Sequence, residues 1–298
     1  MSILVIGSVA LDTIKTPQAK GREVLGGSAT YFSISASFFT PVNLVAVVGD
    51  DFPPKYSNLL RKRNIDLSGL VVEKGKTFRW EGEYGWDFAD PKTLSTSLNV
   101  FSRFNPKIPP AYKKSKYLFL ANIDPEIQEK VLRQLSPRLI ACDTMNFWIE
   151  NKRNHLLRLL KKVDIFLLNE SEARQLTNHN SIVKSAKALI KLGPKIVIIK
   201  RGEHGSLLFC DKYIFSIPAF LLESIVDPTG AGDTFAGGML GYLSQCGKLN
   251  QINLKRAVVY GSVMATFAVE DFSVNRLSSI KPADIKKRFK EFQRLSCF

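Results

Sequence analysis

Asp227-Pro-Thr-Gly-Ala-Gly-Asp-Thr-Phe-Ala-Gly-Gly238 sets flexible backbone, one carboxylate and the start of an apolar helix side by side. Gly230 and Gly232 let the main chain approach an anion closely, with several N–H groups pointing one way. Thr234, Phe235, Met239, Leu240 and Leu243 follow at helical spacing. The donors are therefore expected at a helix N-terminus, where unpaired N–H groups and the dipole favour phosphate. Asp233 sits in the same turn and would repel phosphate unless it has another task. Accepting the proton of an attacking hydroxyl is such a task, and it points to phosphoryl transfer. A Gly-rich turn with an ordinary first-turn acid is the alternative. A Walker A loop is excluded because Asp233, not Lys, follows the last glycine. The dinucleotide fingerprint fails because Phe235 stands where a third small residue belongs, and the motif lies late in the chain.

Around this turn the chain alternates short apolar runs with helical patterns. The runs are Ile3–Ile6, Val42–Val48, Tyr117–Leu120, Leu139–Ala141, Ile165–Leu168 and Ile196–Ile199. Helical spacing is found in Pro53–Arg63, Pro125–Leu135, Lys152–Leu160 and Ser181–Leu192. Continuous apolar strands between helices predict an α/β fold: a mainly parallel sheet covered on both faces, with ligands beyond the C-terminal strand ends. Leu11–Leu25 and the stretch from about Leu70 to Phe101 break this rhythm with extended patterns, and are expected to pair as a small projecting sheet.

Composition narrows the options. The 298 residues are 45% hydrophobic and 23% charged, ordinary for a globular protein with a large core. No apolar run is long enough for a membrane span, and Met1-Ser2 leads directly into a strand without a leader pattern. Cys142, Cys210, Cys246 and Cys297 are scattered, which argues for reduced thiols in a cytoplasmic protein and against a zinc site. The net charge of +15 is spread over Arg61–Arg63, Lys113–Lys116, Lys161-Lys162 and Lys286–Arg288. No stacking aromatics interleave with these residues, so solvated helix faces account for the charge better than nucleic-acid binding does. The histidines are isolated, and no GxSxG, HExxH or paired-carboxylate hydrolase pattern occurs.

The twelve-residue string resembles the C-terminal signature of the PfkB (ribokinase-like) family of carbohydrate and nucleoside kinases. Gly26-Gly27-Ser28-Ala29-Thr30-Tyr31 is similar to that family's paired-glycine substrate motif. Order and spacing agree from Ile3 to about Phe272. The resemblance implies a three-layer αβα core, residues 1–11, 26–69 and 102–298, with a β lid formed by 12–25 and 70–101. It implies Asp233 as catalytic base, with Gly230, Ala231 and Gly232 as the anion hole. The resemblance further implies that the lid closes over the substrate, and it could also carry a homodimer contact.

Other segments carry a local meaning beside an implied one. Asn169-Glu-Ser-Glu172 reads as a helix cap with a capping-box glutamate; the resemblance makes Glu172 an indirect organiser of Mg²⁺ beside ATP. Lys200-Arg-Gly-Glu-His-Gly205 reads as a glycine-bearing hairpin turn, and the resemblance places Lys200, Gly202 and Gly205 at the nucleotide. Asp12 offers a carboxylate to adjacent hydroxyls, suiting a sugar or ribose diol. Asp143 and Asn146 resemble an acid/amide element that this family carries near the reacting phosphate; satisfying loop backbone is the alternative. Tyr31 departs from the family's frequent Asn and suggests an aromatic wall for a base or a differently shaped sugar. Phe147 and Trp148 are expected as core or lid contacts. Asp227 and Thr229 could help hold a monovalent cation such as K⁺, as in some relatives. The expected activity is ATP- and Mg²⁺-dependent phosphorylation of a sugar hydroxymethyl group. A nucleoside acceptor, or a ligand-binding protein without turnover, is the alternative.

Overall fold

The computed structural model describes residues 2–88 and 91–296. Cys297, one of the four expected thiols, lies outside the described residues; Cys142, Cys210 and Cys246 are free.

The strands are β1 (Ile3–Ile6), β2 (Ala10–Lys15), β3 (Lys20–Gly26), β4 (Val42–Gly49), β5 (Ile65–Glu73), β6 (Phe78–Glu83), β7 (Lys92–Ser97), β8 (Tyr117–Leu120), β9 (Leu139–Cys142), β10 (Ile165–Asn169), β11 (Ile196–Lys200), β12 (Ser206–Cys210) and β13 (Tyr213–Ile217). The large sheet runs β13-β12-β11-β10-β9-β8-β1-β4-β5. It is parallel from β5 to β11 and ends in an antiparallel hairpin, β12 and β13. Alternate residues of β1 serve different cores. Ile3 and Val5 join a cluster with Phe32, Met239 and Phe267, while Leu4 and Ile6 join one with Leu156, Leu176 and Leu189. Helices therefore cover both faces, as fully apolar strands require.

Local sequence sets the helix starts. Asp124 caps Pro125–Leu132, Ser181 caps Ile182–Lys191 and Asn250 caps Gln251–Ala268. The closing helix Pro282–Leu295 buries Ile285 and Phe292 as its spacing predicts.

The second sheet has the order β3-β2-β6-β7. β2 pairs antiparallel with β3 and parallel with β6. The expected boundary at residue 69 differs from the structure, because β5 stays paired with β4 as far as Glu73. β5 is an edge strand, and its consecutive residues Val71 and Val72 are both exposed, so this end lacks the unbroken buried run that marks the inner strands. The small sheet likewise begins at Ala10, within the expected core, because β2 already pairs with β6 there.

Candidate active site

The signature turn ends in a sixteen-residue helix, Ala231–Cys246, with Gly230 as its N-cap at φ 73°. That left-handed conformation, and the Tyr31 ring packed against the Cα, leave no room for a side chain at 230. The N–H of Ala231 donates to Pro228 O at 3.1 Å, closing the turn. Ala231 thus differs from its expected role as a direct anion donor. The N–H groups of Gly230, Gly232 and Asp233 make no hydrogen bond to the described residues. They form an unpaired donor set at the positive end of a long helix.

Asp233 sits in the first turn of that helix. Burial raises its pKa well above the carboxylate range, and the negative charge of Asp143 raises it further, against the opposing influence of Lys200. Asp12 and Glu172 also act on it, so residues from four separate segments converge here.

Lys200 and Asp143 end β11 and open the loop after β9. Lys200 Nζ lies 2.7 Å from Asp143 Oδ2, with the side chains 17% and 4% exposed. Burial opposes the lysine's charge, but Asp143 and Glu172 outweigh it and hold the pKa above its ordinary value. A Cβ on Gly232 would lie 3.0 Å from Nζ, so the ammonium stands directly against the turn.

Asp12 lies within β2 and is 4% exposed. Its carboxylate fills the space where a side chain on Gly26 would be, which explains the glycine there. Burial lifts its pKa to about 7 against a hydrogen bond from the Gly27 N–H, and Asp227 adds repulsion. Gly27 caps helix Ser28–Ala36 at φ 93°, a conformation that disfavours other residues. Trp80 of β6 pairs with Asp12 in register, which places the indole and the carboxylate on one face of the small sheet.

Tyr31 is fully buried against Gly230, and its hydroxyl finds no hydrogen-bond partner among the described residues. The ring therefore does not stand as the expected aromatic wall for a base or sugar: it is buried and supports the Gly230 turn from beneath. Asp227 Oδ1 accepts the Thr229 N–H at 2.9 Å and Oδ2 accepts the Ser273 N–H at 3.3 Å, pinning the approach to the turn.

Glu172 and Asn169 form the complete reciprocal capping box of helix Glu170–Thr177. Asn169 pairs in register with Lys200, so this cap opens beside the Lys200–Asp143 pair. Gly205, at φ 84°, is required by the close approach of Ile217 O, whereas Gly202 borders open space. Asn146 is exposed and its Oδ1 accepts the Phe147 N–H, so the structure does not draw it into the cluster. Phe147 is half exposed rather than a core contact. Trp148 donates its indole N–H to Asn122 Oδ1 at 2.9 Å.

Tyr84 was not singled out by sequence. It follows β6, donates its N–H to Lys15 O, and its hydroxyl accepts a hydrogen bond from Thr229 Oγ1 at 3.1 Å. The small sheet is thereby tied to the residue preceding Gly230. Its place at the end of an aromatic strand was the only sequence signal.

Residues 2–281 match the pfkB family carbohydrate kinase profile. A cytidine kinase of Thermococcus kodakarensis is 33% identical over 84% of this chain and 93% of its own length. A nucleoside kinase of Methanothermobacter thermautotrophicus is 27% identical over 90% and 89%. An E. coli protein provisionally described as ribokinase II, solved with ATP and Mg²⁺, superposes with a TM-score of 0.81. It is 18% identical and the match covers 97% of this chain and 99% of that one, which establishes the shared fold.

Proposed function

The chain belongs to the pfkB family of carbohydrate kinases, and within it we propose a nucleoside kinase that transfers the γ-phosphoryl group of ATP to the primary hydroxyl of a ribonucleoside. Family membership makes it a phosphotransferase with an alcohol acceptor. The nucleoside is favoured over a free sugar by the similarity to a cytidine kinase over nearly that protein's full length. Trp80, on the same face of the small sheet as Asp12, supports a substrate with both an aromatic ring and a diol.

One observation carries the reaction: Asp233 stands among unpaired N–H donors at the start of a sixteen-residue helix, within electrostatic reach of Asp12. The diol of the acceptor would donate to Asp12 while its primary hydroxyl approaches Asp233. An alcohol becomes acidic only as its oxygen bonds to phosphorus, and a carboxylate with a raised pKa is a competent base at that moment. The new O–P bond forms, the bond to the β,γ-bridging oxygen breaks, and its electron pair leaves with ADP. The hydroxyl proton passes to Asp233. The N–H groups of Gly230, Gly232 and Asp233 would bind the oxygens of the moving group. Gly202 and Gly205 would border the nucleotide from the β11–β12 turn. The small sheet would act as the lid.

Among the described residues no group of three or more His, Cys, Asp or Glu is arranged to hold a metal. That suits an ion arriving on the triphosphate with its waters, and Glu172 would meet it through water. Bound Mg²⁺ supplies charge neutralisation on the donor phosphates. A monovalent cation at Asp227 would have to share the carboxylate with the N–H groups of Thr229 and Ser273.

The test is ADP release over a panel of ribonucleosides and free sugars, with Asp233→Ala as background and mass analysis of the product. A nucleoside 5′-monophosphate from wild type alone is expected. Turnover confined to free sugars would overturn the acceptor class, and equal ADP release by Asp233→Ala would overturn the base.

A further inference from the structure

The ammonium of Lys200 stands closer to the anion-binding turn than a nucleotide-border role demands. Its Nζ is bonded to Asp143 at 2.7 Å and would sit 3.0 Å from a Cβ on Gly232. Asp143 is itself fixed, since its Oδ1 accepts the Thr144 N–H at 2.9 Å and its carbonyl accepts from Gln128. The groups facing Lys200 are Asp143, Glu172 and Asp233, from three different segments of the chain. The next residue, Arg201, is engaged by Glu170 at 2.6 Å and does not serve the turn. Replacing a buried ion pair by apolar residues of similar size is often neutral or stabilising, so stability alone is a weak account of this one. An ammonium has three donors. It can keep one bond to Asp143 and direct another at a phosphoryl oxygen above Gly232.

Resting on the kinase reading above, we infer that Lys200 is a catalytic residue that binds an equatorial oxygen of the migrating phosphoryl group, and that Asp143 is the positioning residue that aims it. The chemistry is the transfer already described. Lys200 stays protonated and exchanges no electrons; it neutralises charge that the backbone donors share. Its positive charge also favours the ionised base, since it lowers the pKa of Asp233.

Calorimetric titration separates this from a structural pair. Wild type, Lys200→Met and Asp143→Asn are titrated with MgADP, and then with MgADP plus aluminium fluoride in the presence of cytidine. Removing one such donor costs about 10²–10³-fold in other enzymes. Wild type is expected to bind the fluoride complex more tightly than MgADP. Lys200→Met is expected to lose about that factor while its MgADP affinity moves less than about 3-fold, and kcat should fall in parallel with little change in the KM for ATP. Asp143→Asn, which removes the carboxylate charge but leaves the Lys200 ammonium in place with a looser aim, should give a smaller loss of the same kind. Lys200→Gln serves the same titration if Lys200→Met does not fold. An equal fluoride gain in wild type and the Lys200 variants overturns the inference and leaves the kinase reading standing. No gain in wild type overturns the nucleoside-kinase reading itself.

Discussion

Asp12→Asn should stabilise the ligand-free protein while disabling it. Folding lifts the Asp12 pKa from 3.8 to about 7, chiefly through burial. At ~1.36 kcal/mol per unit, that shift of about three units costs the folded state about 4 kcal/mol once the carboxyl is ionised. The folded protein holds this proton more tightly than the unfolded chain. This contribution to wild-type stability is therefore complete only below about pH 4, is lost as the pH rises towards about 7, and is flat beyond. Asparagine keeps an acceptor for the Gly27 N–H and removes the buried charge. The Asn variant should match wild type near pH 4 and exceed it by about 4 kcal/mol at pH 8, roughly 6 °C in Tm for a chain of 298 residues. Denaturant titrations at the two pH values measure this directly. Activity moves the other way, because a charged hydrogen bond to the acceptor is worth ~1.5–3 kcal/mol, predicting an acceptor KM raised about 10–100-fold. In wild type that KM should fall as the pH rises through 7. A stability difference that does not change between pH 4 and pH 8, or an unchanged KM, refutes the assignment of Asp12 as a buried acid reserved for the diol.

Three further outcomes follow from the same geometry. The acid limb of kcat should lie above the usual carboxylate range, since burial and Asp143 both raise the Asp233 pKa, and Asp143→Asn should move it down; a limb near 4 in wild type contradicts the base assignment. Tyr84→Phe and Thr229→Val should each lower kcat/KM about 5-fold, the worth of one neutral hydrogen bond, with no further loss when combined; additive losses would show that their 3.1 Å bond does not act in the reaction. Replacing K⁺ by tetramethylammonium should change kcat less than about 2-fold, because N–H donors already satisfy both oxygens of Asp227; a large effect would show that the loop exchanges those bonds for a cation.

These predictions concentrate on contacts that span the chain, and there the sequence is least informative. β1, β8 and residues Ile165–Leu168 of β10 were legible because every residue faces a core, which forces an unbroken apolar run. The Asn169–Glu172 cap and the Gly230–Asp233 turn were legible because all their parts lie within a few residues of one another. No such local rule couples Asp143 to Lys200, 57 residues apart, or Tyr84 to Thr229, 145 apart. Gly26 shows the limit clearly: a pair of glycines before a helix reads as a turn, yet one of them is glycine because a carboxylate from another strand occupies its side-chain space. Phe147 shows the converse, an apolar residue whose type suggests burial although its short helix turns it outward. The base role proposed for Asp233 depends on these long-range placements. The local motif supplies donors and a carboxyl group, but burial first, and then Asp143, Lys200, Asp12 and Glu172, brought in by β9, β11, β2 and the helix after β10, set the pH at which that carboxyl can take a proton.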